Sequence, residues 1–165
     1  MPGWSLLIFI ITFAYSSQEM AVSFDYSKST EDNYAVENPT FVGKYRKLRR
    51  GLDYSYHMFY SETRQLLHDE IIDMFVNTKI EDGSSVCDRP TQNWLVFTAG
   101  CMGAGKGHVV RWLNNNGIFP LKSFVVVDPD AIREVLPETS TYNDRNPFTM
   151  GHLTQKEVGY ISEVK

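Results

Sequence analysis

The segment Gly100-Cys101-Met102-Gly103-Ala104-Gly105-Lys106 restricts this chain more than any other stretch. It has the pattern G-x-x-x-x-G-K, and its neighbours carry complementary signals. Residues 93–98 (NWLVFT) read as a short apolar strand. Residues 107–116 (GHVVRWLNNN) read as a helix, stopped by asparagines and Gly117. Strand, glycine turn and helix in this order make a loop that cradles phosphate. Successive backbone N–H groups turn inward as an anion-binding nest, and glycine permits the backbone angles this needs. The start of the helix adds partial positive charge and free N–H donors. Lys106 can reach the β- and γ-phosphates of a nucleotide. The bland alternative is a glycine turn that happens to contain a lysine, and the flanking strand and helix argue against it.

One position departs from the pattern. The Ser or Thr that normally follows the lysine and binds Mg²⁺ is Gly107. The ion is then left to water, to acidic side chains, or to no protein group here. His108 either contacts a phosphate or is merely polar and exposed. Cys101 sits at a place where a thiol pKa can be lowered, although a packing or spacing role is the simpler reading.

A second strand is expected over residues 123–127 (SFVVV), apolar on both faces as buried parallel strands are. It runs into Asp128-Pro129-Asp130. Carboxylates at the end of a parallel strand face the crevice where α/β proteins bind ligands. Of Asp128 and Asp130, one is a candidate to bind or orient Mg²⁺ and the other to take a proton from an attacking hydroxyl. Against this, one of the two caps the short helix that starts at Pro129. Arg133 either binds a substrate phosphate or pairs with a nearby carboxylate. Residues 138–151 read as a loop, and 152–165 as a helix.

Upstream the texture differs. Residues 44–90 hold apolar residues at Phe59, Leu66, Leu67, Ile71, Ile72 and Phe75, near a 3.6-residue period. They describe one or two amphipathic helices. Lys44, Arg46, Lys47, Arg49 and Arg50 form either a docking patch or a solvated helix face. His57 and His68 have no partners at metal-ligand spacing. Residues 18–43 are polar, without a period, and read as a linker. Residues 5–15 (SLLIFIITFAY) are apolar but shorter than the ~20 residues a membrane span needs. That length suits a signal peptide. The missing basic residues and cleavage site argue against one, and a buried helix or a start placed too far upstream are the alternatives. The cytoplasm is therefore favoured over the secretory pathway.

The net charge of −4 gives no reason to expect nucleic acid or an anionic membrane as a partner. Two cysteines, Cys87 and Cys101, make no disulfide framework and no zinc site. They read as reduced thiols.

Taken with the loop, the run VVVDPDAIREVLPE and then HLTQKEVGYISE resemble the zeta toxin family of P-loop kinases. The resemblance covers residues 92–165. It implies an α/β fold, a P-loop kinase-like parallel sheet, here incomplete, with an amphipathic helical segment before it. The chain then divides into an apolar segment 1–17, a linker 18–43, a helical extension 44–90 and a partial kinase domain 91–165. Members of the family use ATP to phosphorylate a sugar hydroxyl of UDP-N-acetylglucosamine. The resemblance implies Asp130 as general base, Lys106 on the phosphates and Glu157 as a substrate-facing acid. The expected ligands are ATP or GTP with Mg²⁺, and a small molecule bearing a hydroxyl. Two strands bury little surface, and no late arginine is present to neutralise the transferred phosphate. The expectation is thus a fragment or short form of a kinase. The alternatives are a non-catalytic nucleotide-binding module, or a secreted or tethered protein with a vestigial loop.

Overall fold

The computed structural model describes residues 24–76, 95–101, 103–121 and 124–164. The possible signal peptide, the expected loop near Gly83, Cys87 and Met102 lie outside the described residues. The described elements are helices: α1 Thr30–Tyr34, α2 Arg46–Arg49, α3 Glu62–Val76, α4 Lys106–Asn115, α5 Pro129–Glu134, α6 Thr139–Arg145 and α7 Pro147–Val164.

Local chemistry sets where these helices begin. Ser29 caps α1 by accepting from the Asp32 amide. The Ser61 hydroxyl accepts from the Arg64 amide at the start of α3. Asp128 caps α5, with Pro129 behind it. Asn146 accepts from the Phe148 amide and precedes Pro147, the first residue of α7. Short polar caps followed by proline satisfy or remove the orphan N–H groups of a first helical turn.

The core forms where α3, α5 and α7 meet. On α7 the buried residues are Thr154, Glu157, Val158, Tyr160, Ile161 and Val164. Their three- and four-residue spacing lines one face. Ile71 and Ile72 of α3, Ile132 of α5, and Tyr60 pack against that face. The apolar period expected in α3 holds at Ile71 and Ile72, while Leu66 is half exposed. The rest of the buried face of α3 is polar: Arg64, Gln65, His68 and Asp69. The segment read as a linker contains α1, with Thr30 and Glu31 buried. Of the basic run, Arg49 is buried and pairs with Asp69, and its guanidinium donates to the Val42 and Gln65 carbonyls.

The expected parallel sheet is absent among the described residues. Residues 95–98 and 124–127 carry no strand. The β pairing that is present is an isolated antiparallel bridge, Ala35 with Tyr60. Leu95 and Phe97 are 79% and 82% exposed, and Val125 to Val127 about half exposed. A parallel strand, apolar on both faces, needs a ladder on its edge and a layer on each face. Here α3, α5 and α7 bury their apolar faces on one another and leave both segments outside that core. The α/β assignment is therefore corrected to an all-helical arrangement for the described residues. No described helix is long and apolar enough to cross a membrane.

Candidate functional site

The glycine-rich segment runs into α4 without a strand before it among the described residues. Gly103 and Gly105 both have φ +76°. A Cβ at either would meet nothing within 4 Å, so backbone angle rather than space calls for glycine. The Ala104 amide donates to the Cys101 carbonyl at 3.2 Å and tightens the turn. Gly105 then caps α4 without a side chain, so the first N–H groups of the helix stay open to an anion. Lys106 folds back, and its Nζ donates to the Gly100 and Cys101 carbonyls at 2.8 and 2.9 Å. Cys101 is a free, exposed thiol. Gly107 and His108 are exposed on the first turn of α4. No residue of α4 is buried, and Val109 and Trp112 are half exposed. The helix stops at Gly117, φ +70°, with the Ile118 amide donating to the Leu113 carbonyl.

The aspartate segment is divided by the start of α5. Asp128 turns its carboxylate to the Asp130 amide at 3.0 Å as the helix cap. The Asp130 carboxylate is 83% exposed and pairs with Arg133. Arg133 also donates from Nε to the Thr154 hydroxyl at 2.9 Å, and to the Gln155 side chain at 2.8 Å. It thereby ties α5 to α7. Among the described residues, no hydrogen bond or ion pair joins the loop to Asp128, Asp130, Arg133 or Glu157.

Glu157 lies at the centre of a buried ionic cluster. Arg64 of α3 grips it from Nε and from a terminal nitrogen, at 2.5 and 3.0 Å. The same guanidinium takes Glu138 with two further bonds, at 3.0 and 2.9 Å. The Tyr34 ring lies 3.9 Å from the guanidinium carbon, and its hydroxyl donates to Glu138. His68 meets Glu157 at 2.6 Å. Burial alone would push the Glu157 carboxyl up. The His68 hydrogen bond and the Arg64 charge outweigh it and hold the group at about 2. Burial lowers the His68 pKa despite Glu157. A neutral imidazole donating from Nε2 fits both partners, because Nδ1 is buried without a partner. Arg64, His68 and Glu138 were not among the sequence candidates. The one available signal was charged residues on the apolar-patterned face of α3.

Residues 77–164 match the family model described as zeta toxin. The chain belongs to the zeta toxin family. No curated protein and no solved structure matches it. The zeta toxin match takes in the loop, α4 to α7, Glu138 and Glu157. Arg64 and His68, which hold those two carboxylates, come from outside the matched residues. Membership gives the chain a P-loop kinase-like, nucleotide-binding character.

The loop fits a nucleotide phosphate: it has left-handed glycines, an open helix start and a lysine. The fit to a protein-held Mg²⁺ is poor. Position 107 offers no hydroxyl, Asp128 caps α5, and Asp130 is paired with Arg133. Among the described residues no group of three or more His, Cys, Asp or Glu could hold a metal ion.

Proposed function

We propose that the protein is a nucleotide-dependent kinase that transfers the γ-phosphate of ATP to a hydroxyl of a small molecule. What carries this most is the loop: two left-handed glycines at the start of α4 with Lys106 beside them. Lys106 would exchange its two carbonyl partners for phosphate oxygens and balance the charge that develops on transfer. Asp130 is the accessible carboxylate for the acceptor hydroxyl. The acceptor oxygen forms a bond to the γ-phosphorus, the bond to the departing diphosphate breaks, and Asp130 takes the hydroxyl proton. Arg133, paired with Asp130, would release that carboxylate to meet the acceptor's own phosphate. Glu157, enclosed by Arg64 and His68, enters as the residue that seats α7 against α3. A phosphate-bearing acceptor such as a nucleotide sugar suits Arg133.

The competing reading is a nucleotide-binding module without turnover, favoured by Gly107 and by the Asp130–Arg133 pair. Incubation with γ-labelled ATP and a panel of nucleotide sugars separates the two. A kinase labels an acceptor, and Lys106→Ala and Asp130→Asn each reduce transfer at least about 100-fold. Transfer that survives Lys106→Ala sinks the kinase reading. ATP binding with no labelled product on any acceptor leaves the binding module.

A further inference from the structure

Gly107 removes a hydroxyl from the loop, and Arg111 occupies the neighbourhood that this leaves. Arg111 stands one turn after Gly107 on α4. A helical side chain leans toward the helix start and covers the turn before its own Cα. A Cβ placed on Gly107 would accordingly lie 3.5 and 3.7 Å from the two terminal guanidinium nitrogens of Arg111. The guanidinium therefore lies against the first turn of α4, where the open N–H groups are. Among the described residues it forms no hydrogen bond or ion pair, so no carboxylate neutralises it. A guanidinium is planar, permanently charged and forked, which suits two oxygens of a phosphate.

We infer that Arg111 is a phosphate-binding residue of the nucleotide site, supplying at the start of α4 the positive charge that a metal held at position 107 would otherwise bring. The inference rests on the reading of the loop as a nucleotide site. Its consequence is that nucleotide affinity depends on Arg111 and on the number of phosphates, and only weakly on Mg²⁺.

Calorimetry on the full chain with ATP, ADP and AMP, in Mg²⁺ and in EDTA, tests it. The expected result is that Arg111→Ala weakens ATP roughly tenfold or more, as loss of a charged hydrogen bond does, and leaves AMP within about twofold by the same measure. Arg111→Lys should restore part of the loss, because it returns the charge without the fork. Wild-type ATP affinity should change little in EDTA. If the wild type binds ATP and Arg111→Ala binds it equally well, this inference falls while the loop reading stands. It falls equally if AMP is lost along with ATP, or if EDTA alone abolishes wild-type binding. A wild type that binds none of the three overturns both.

Discussion

Arg64 is the residue on which the interior depends most. One guanidinium bridges two carboxylates, Glu138 and Glu157, that are almost fully enclosed. Removing one partner of a buried pair leaves an uncompensated charge, at a cost of about 3–5 kcal/mol. Arg64→Ala should destabilise the fold by at least that much, as read by urea unfolding; a loss under about 1 kcal/mol would place the cluster at the surface energetically. The pH dependence follows from the same residues. The Glu157 carboxyl lies at about 2 when folded, against 4.5 for the free side chain. The unfolded chain therefore binds its proton first as pH falls. The stability this group contributes is complete above about 4.5 and is lost on the way down to about 2. His68 acts in the same direction: its lowered pKa makes the unfolded chain the better proton acceptor below its usual 6.5. Melting temperature should drop in both windows, and Glu157→Gln should flatten the lower one. An unchanged acid slope in Glu157→Gln would exclude this origin.

Helices begin where short-range chemistry says they should, and this made several of them legible in the sequence. The Asp128-Pro129 start of α5 is an example: a side-chain acceptor and a proline are both contained in two adjacent residues. Asp128→Ala removes that cap, and the expected cost is about 1 kcal/mol. A cost near zero in thermal unfolding would mean that packing of Ile132 alone holds α5. The end of α4 at Gly117 was readable for the same reason. The two expected strands are absent from the described residues, because apolar residues such as Phe97 and Val126 state only a wish for burial. A ladder and two covering layers must come from elsewhere in the chain. The polar buried face of α3 was hidden by the opposite problem. Arg64 and His68 look solvated until their partners are known, and those partners are 93 and 89 residues away in the chain.

At the scale of the whole molecule, the helical segment before the family-matched residues is part of the same core. Ile71 and Ile72 pack with Val158 and Ile161, and Arg64 bridges Glu138 and Glu157. A protein reduced to residues 77–164 would lose both the apolar cover and the counter-charge. It should be unfolded by circular dichroism and degraded rapidly by protease; a cooperative thermal transition in that shortened chain would show the opposite. The sequence by itself determined the glycine-rich loop, its lysine, the family and the capped start of α5, since each depends on residues within a few positions of one another. Only the tertiary structure decided that Glu157 is enclosed by Arg64 and His68 and that the described core is helical. Burial and charge neutralisation belong to pairs of residues distant in the chain, and no local pattern contains them.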